Sequence, residues 1–230
     1  MDWSAQCAVV IPCLDEARTI ASVVEQCRRH LATVIVIDDG SADDTGRQAS
    51  RAGARVIRHD RPLGKGAALD AGWATARRAG FSWALTLDGD GQHSPEDIPL
   101  FLSMASMSDA KLVIGNRMGQ PARMPSLRRF VNRWVSRTLS MAAGREFPDA
   151  LCGFRLVHLP SWSKVLLTTK NFEVESELLM AFHDAGHAVE FVPVRLIYRK
   201  ERSKIHPLRD TRRWFRWFRS YRDGKRPSSQ

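Results

Sequence analysis

The sequence predicts an α/β protein with a mostly parallel central sheet flanked by helices, and three observations carry that reading. Strand-like and helix-like segments alternate four times within the first 90 residues, the pattern of βαβ units joined by right-handed crossovers. Residues 33–37 (TVIVI) are continuously apolar and β-branched, as expected of a strand covered on both faces. Two strands end in paired carboxylates, Asp38-Asp39 and Asp88-Gly89-Asp90. Ligands of open α/β sheets bind outside the carboxyl ends of the strands.

Taken in order, residues 8–14 (AVVIPCL) read as a first strand with its exit loop, and residues 16–31 as a helix with Ile20, Val23, Val24, Cys27 and Leu31 on one face. The strand at 33–37 leads to a helix at 43–52 that Gly53 can end. ARVIRH (54–59) is a third strand, residues 66–79 a helix closed by Gly80, and 83–87 a fourth strand. The second half is less regular. Helices are expected at 96–107, 126–142 and 173–185, and strands at 111–115, 153–158 and 189–198. On the helix at 126–142, Leu127, Val131, Trp134, Val135 and Leu139 share one apolar face. No repeat or linker interrupts residues 1–205, which read as one domain followed by a tail at 206–230.

Composition narrows the class. At 43% apolar and 26% charged residues, the 230-residue chain can bury an ordinary globular core. No apolar run reaches the roughly 18 residues of a membrane span, and the N-terminus lacks the basic region of a secretory signal. Cys7, Cys13, Cys27 and Cys152 have no metal-ligand spacing, so they read as reduced, buried thiols of a cytosolic protein. Charge is placed unevenly. Residues 195–230 hold 13 Lys+Arg against 3 Asp+Glu, so the whole net charge of +10 lies there and residues 1–194 are neutral.

The chemistry concentrates in LTLDGDGQHSPED (85–97). Asp88 and Asp90 stand one residue apart in a glycine-bearing loop after a strand, an oxygen-rich setting suited to Mg²⁺ or Mn²⁺ with substrate phosphates completing the shell. A polar turn with capping aspartates is the plainer alternative. A second acidic strand end at Asp38-Asp39 favours a nucleotide–metal site, with Asp39 on base or sugar and Asp88 and Asp90 at a diphosphate. The GKG at 64–66 lacks the spacing and hydroxyl of a P-loop, and no Gly-x-Gly-x-x-Gly turn follows the first strand. Lys65 is either solvated or close to a phosphate. His93 reads as a polar loop residue or an extension of the metal site, and Glu173, Glu175 and Glu177 as a solvated helix start or as including a residue that positions acceptor or sugar.

IPCLDE (11–16), VIVIDDGSADDT (34–45), GKGAAL (64–69), LDGDGQHSPED (87–97), IGNR (114–117), DALCGFR (149–155) and RSKI (202–205) occur in this order. Together they resemble the family 2 glycosyltransferases, above all the dolichyl- and polyprenyl-phosphate mannosyl- and glucosyltransferase branch. The resemblance implies a GT-A-type nucleotide-diphospho-sugar transferase fold and inverting, Mg²⁺- or Mn²⁺-dependent transfer of a hexose from a UDP- or GDP-sugar. It implies that Pro12, Leu14, Glu16, Ile37, Asp39, Asp88 and Gly89 line the donor site, and that Asp90 and Gln92 bind metal. Arg117, Arg128, Asn132, Arg199 and Lys204 would hold the acceptor phosphate or the diphosphate. Arg128 and Asn132, at i and i+4 of a predicted helix, could share one phosphate. Asp149 is the candidate base if the acceptor is a hydroxyl, with a loop aspartate or helix cap as the alternative. A lipid phosphate needs no base. Leu14, Asp15, Asn132 and Glu201 depart from residues common in the family, which bears on base selectivity and acceptor details.

In the tail, Trp214, Trp217, Phe218 and Tyr221 recur at helical spacing among Arg212, Arg213, Arg216, Arg219 and Arg222. That is the make-up of an interfacial membrane helix. Packing of the aromatics on the domain and nucleic-acid stacking are the alternatives, and the neutrality of residues 1–194 argues against nucleic acid. The expectation is an enzyme peripheral to the cytoplasmic membrane face that uses a nucleotide-sugar donor and a polyprenyl-phosphate acceptor. The rivals are a same-fold enzyme acting on a hydroxyl of another lipid or glycan, and a non-catalytic nucleotide-sugar-binding protein.

Overall fold

A computed structural model describes residues 2–119, 124–197 and 207–224. Arg199 and Lys204 lie outside the described residues, as do the RSKI motif and the end of the strand expected to reach 198. The strands are β1 (Cys7–Cys13), β2 (Val34–Asp38), β3 (Arg55–Arg58), β4 (Trp83–Thr86), β5 (Leu112–Asn116), β6 (Arg155–His158) and β7 (Val189–Pro193). The helices are α1 (Trp3–Gln6), α2 (Ile20–Arg28), α3 (Thr45–Arg51), α4 (Lys65–Arg78), α5 (Ile98–Met107), α6 (Ser126–Ala143), α7 (Leu159–Trp162), α8 (Val174–Asp184) and α9 (Pro207–Arg222).

The strands form one sheet in the order β3-β2-β1-β4-β6-β5-β7. Only β6 runs against its neighbours, β4 and β5. The carboxyl ends of β1, β2, β4, β5 and β7 and the amino end of β6 therefore share one edge. The chain builds outward from β1 to β3 and then returns to place β4 on the other side of β1, which opens a crevice at the switch point. Pro12 helps to open it. The Val9 N–H bonds Thr33, and the Cys13 carbonyl accepts from the Asp39 N–H, so alternate residues of β1 face β2 and Pro12 faces the β4 side. β4 has already ended at Thr86, opposite Val10, so the missing proline N–H breaks no ladder bond.

Helix α4 packs across β1, β2 and β4, and α5 across β5, β6 and β7. α4 lies so close that a Cβ on Gly72 would fall 2.3 Å from Val10 Cγ1. The four cysteines are free and buried. Burial pushes the thiols of Cys7 and Cys27 up to about 12, so they stay protonated and inert.

Two helices depart from expectation. On α6, Val135 and Leu139 are buried, but Leu127 (66% exposed), Phe130 (68%), Val131 and Trp134 face outward. On α9 the aromatic stripe faces the domain. Trp214 is 6% exposed and donates from Nε1 to Ser176 Oγ on α8 (2.9 Å), while Trp217, Phe218 and Tyr221 pack against the core. The tail aromatics thus take the packing alternative, because α8 and Trp134 of α6 supply a surface to receive them.

Candidate active site

The loops after β1 and β2 are laced together. Asp15 N–H donates to Ser41 Oγ (2.9 Å), Ala42 N–H to Asp15 Oδ1 (2.7 Å) and Glu16 N–H to Thr45 Oγ1 (2.7 Å). Asp15 adopts φ +52°, a left-handed conformation that Asn and Asp tolerate better than most side chains. Pro12 and Ile37 are buried register partners, and Leu14 and Glu16 stand half-buried above them. This is one wall of the crevice. Asp39 is buried behind it. Its carboxylate accepts from Leu63 N–H (2.9 Å) and Gly64 N–H (2.8 Å) and lies 2.7 Å from His59 Nδ1. These contacts take three of its roughly four acceptor positions, so its first task is to fix the loop leading to Lys65.

The Asp88–His93 loop forms the floor. Thr19 Oγ1, at the start of α2, donates to the Gly89 carbonyl (2.7 Å), and a Cβ on Gly89 would fall 2.5 Å from Cys13 Sγ. Only glycine lets the loop lie this close to β1. Asp90 Oδ1 accepts from the Gln92 N–H (3.0 Å), and Gln92 Oε1 accepts from Arg128 Nη1 (3.2 Å). The predicted metal ligands and one predicted acceptor residue therefore meet on a single loop.

Asp88 is held from the other side. Lys65 Nζ lies 2.6 Å from Asp88 Oδ1 and 2.7 Å from Glu175 Oε1, and His93 Nε2 stands 3.6 Å from Asp88 Oδ2. Burial opposes ionisation of Asp88, but the Lys65 ammonium outweighs it and holds the carboxyl well below the usual range. Burial likewise works against the charge of Lys65, and the two carboxylates keep its pKa above the ordinary value. Lys65 is thus a half-buried, paired cation rather than a solvated one. His93 is buried against Phe154, not a polar loop residue. Glu175 and Glu177 are buried, not a solvated helix start.

The far wall is a closed network. Asp149 is 0% exposed. Its Oδ2 accepts from Arg117 N–H (3.0 Å) and Nε (2.8 Å), and its Oδ1 from Arg117 Nη2 (2.8 Å) and Asn132 Nδ2 (2.7 Å). Ser136 Oγ then donates to Asn132 Oδ1 and accepts from Ala150 N–H. Burial would raise the Asp149 pKa, but the Arg117 guanidinium holds it below its ordinary value. Four donors fill the acceptor positions of a carboxylate, so Asp149 is fully engaged within the protein. Arg128 and Asn132 have different protein partners. Arg128 turns to Gln92 and Asn132 to Asp149.

Among the described residues no group of three or more His, Cys, Asp or Glu could hold a metal ion. The donor set at the loop still fits Mg²⁺ or Mn²⁺. Asp90 and Gln92 offer hard oxygens from half-exposed side chains, and such ions take few protein ligands when substrate phosphates complete the shell.

The family model described as glycosyl transferase family 2 matches residues 8–159. The chain belongs to glycosyltransferase family 2. Glycosyltransferase AglJ of Haloferax volcanii is 32% identical over 207 residues, covering 88% of this chain and 67% of the relative. The UDP-N-acetylglucosamine–dolichyl-phosphate N-acetylglucosaminyltransferase of Methanococcus voltae is 28% identical over 214 residues, covering 83% and 85%. Among solved structures, glucosyl-3-phosphoglycerate synthase from Mycobacterium tuberculosis, in complex with Mn²⁺ and UDP-glucose, superposes with a TM-score of 0.72 at 25% identity. That match covers 94% of this chain and 77% of the synthase. The family 2 chain thus has the GT-A fold, with the crevice above β1 and β4 at its switch point.

Lys65, Glu175 and His93 are the site neighbours whose partners were not legible in the sequence. A lysine between two glycines at a helix start was the available signal for the first. For Glu175 the signal did not separate it from Glu173 and Glu177, since acidic residues are common in first helical turns.

Proposed function

We propose that this family 2 glycosyltransferase moves a hexose, with inversion, from a UDP- or GDP-sugar to a polyprenyl phosphate at the cytoplasmic face of a membrane. The observation that carries this reading is the saturation of Asp149. With that carboxylate buried under four donors and Asp88 engaged by Lys65, neither is free to deprotonate a hydroxyl. An acceptor that arrives as a phosphate anion needs no base. The dolichyl-phosphate acceptor in the name of the Methanococcus voltae relative supports the same class.

In this reading the residues over β1 and β2 hold the nucleoside, and Asp88 lies beside the donor sugar. A phosphate oxygen of the acceptor attacks the anomeric carbon opposite the diphosphate. The bond from that carbon to the diphosphate breaks as the new one forms, and the nucleoside diphosphate leaves with the electron pair. Asp90 and Gln92 would hold Mg²⁺ or Mn²⁺, which supplies charge stabilisation to the leaving group. Arg128, beside Gln92, meets the acceptor phosphate, with Arg117 behind it. Arg199 and Lys204 complete the basic set.

The membrane surface in this reading belongs to α6. No helix among the described residues is long and apolar enough to cross a membrane. The outward ridge of Leu127, Phe130, Val131 and Trp134 is flanked by exposed Arg133 and Arg137, a pairing that suits an anionic lipid interface. The opposite side of the same helix carries Arg128 and Asn132. A lipid lying along the ridge would bring its phosphate to the crevice.

The test is transfer from labelled UDP- and GDP-hexoses to polyprenyl phosphate or to the corresponding polyprenol, with Mn²⁺ or with chelator. Label is expected only in the phosphate lipid and only with metal. Transfer to the polyprenol, or to neither lipid across the donor panel, would overturn the proposal.

A further inference from the structure

Lys65 is placed from both ends by α8. At its backbone, Glu177 accepts four hydrogen bonds, from Thr168 N–H (2.9 Å) and Oγ1 (2.7 Å) and from Thr169 N–H (2.8 Å) and Oγ1 (2.6 Å). That clamp fixes the next residue, Lys170, whose carbonyl accepts from Gly66 N–H (2.9 Å). The approach is close. A Cβ on Gly66 would lie 2.5 Å from the Thr169 carbonyl oxygen. At its tip, the Lys65 ammonium spans Asp88 and Glu175, and the Glu175 carbonyl is itself held by Arg155 Nη1 (2.6 Å).

The charges are unequal. Two carboxylates face one ammonium, so Lys65 is not spent on Asp88 alone. An ammonium has three donors, and these two partners take two of them. A Cβ on Gly153 would fall 2.7 Å from Asp88 Oδ2 and 3.0 Å from Lys65 Nζ, so the side of the pair nearest Gly153 is kept clear of any side chain. The first turn of α8 thus reaches the donor loop through one lysine.

We propose that Glu175 is a positioning residue for sugar transfer: it anchors Lys65 from behind, so that the ammonium holds the Asp88 carboxylate in a fixed place beside the donor. If Glu175 is neutral, the Lys65 ammonium loses the second of its two carboxylate partners among the described residues and is held from the Asp88 side alone. The inference rests on the donor assignment made above for Asp88, and not on the nature of the acceptor.

The test is a double-mutant cycle of Glu175→Gln and Lys65→Met, read in donor KM, acceptor KM and kcat, and separately in the affinity for UDP- and GDP-hexose by calorimetry. Glutamine keeps the shape and an acceptor oxygen, and the unfolding midpoint of each variant controls for folding. Glu175→Gln alone is expected to weaken the donor terms by about tenfold, the scale of one hydrogen bond to a charged group, and to leave the acceptor KM unchanged. In the Lys65→Met background the same change should cost less than about twofold, because the anchored group is gone. Equal losses in both backgrounds, or a shift in acceptor KM with donor terms intact, would overturn the proposal. Calorimetry reads the coupling whether or not a lipid phosphate is the acceptor. A wild type that binds donor but does not transfer to lipid counts against the acceptor reading alone.

Discussion

Helix α6 turns Leu127, Phe130, Val131 and Trp134 outward, whereas α9 turns Trp214, Trp217, Phe218 and Tyr221 onto the domain. Both are arginine-rich and amphipathic, with apolar residues at i, i+3, i+4 and i+7. What separates them is the surface each meets. Trp214 finds a hydroxyl for its indole N–H on Ser176, and Tyr221 donates to Asp184 (3.1 Å), also on α8. Among the described residues the α6 ridge has Phe215 and Trp214 beside it only at Trp134. Periodicity therefore identifies an apolar face without saying whether protein or lipid covers it.

The largest effect that could break this contrast lies at the docked helix. Trp214→Ala should cost about 3–5 kcal/mol of stability, measured by urea unfolding. A loss below about 1 kcal/mol, within the range of ordinary surface substitutions, would mean that α9 is not docked in solution. The α6 ridge should respond the other way. Leu127→Ser with Phe130→Ser should leave stability within about 0.5 kcal/mol, because both side chains are exposed. The same pair should weaken binding to anionic vesicles by at least about tenfold, since each apolar side chain buried is worth roughly 1.5–3 kcal/mol. Unchanged flotation would remove the ridge from the membrane surface. A smaller effect is expected of Arg133→Gln with Arg137→Gln, about 1 kcal/mol per charge. It should vanish on uncharged vesicles and shrink with added salt.

The same contrast shows what the sequence made legible. The first four strands and the helices between them lie within a few residues of their expected places, because βαβ alternation is a local signal read over short windows. The reversed direction of β6 was not legible, since a short apolar run carries no direction. Asp88 and Asp90 stood out through their adjacency on one loop, whereas Gln92 entered only through the resemblance to the family. The engagement of Asp149 by Arg117 joins residues 32 apart in the chain, and that of Lys65 by Glu175 joins α4 to α8. Neither follows a helical or strand period, so the partners of Asp149 and of Glu175 left no trace in the sequence. α1 and α7, of four residues each, are too short to leave a periodic trace.

The smallest expected effect separates the two helices by the sign of their pH response. The inner side of α6 rests on Asp149, whose folded pKa is lowered by Arg117 against the opposing effect of burial. Its contribution to stability is present above the ordinary carboxylate pKa of about 4 and is lost as pH falls through the lower folded value. α9 lies over Glu173, a buried carboxyl whose Oε2 has no hydrogen-bond partner among the described residues and on which Arg213 and Asp210 act. Burial raises the Glu173 pKa, so its favourable contribution is present below the ordinary glutamate value and is lost as pH rises through the folded one. Moderate acidification from neutral pH should therefore tighten α9 and leave α6 untouched, read as slower hydrogen exchange of the α9 amides against unchanged α6 amides. Glu173→Gln should reproduce the tightening at neutral pH, by roughly 1 kcal/mol, and abolish the further response to acid. Loosening of α9 on acidification would show that Glu173 does not govern its docking.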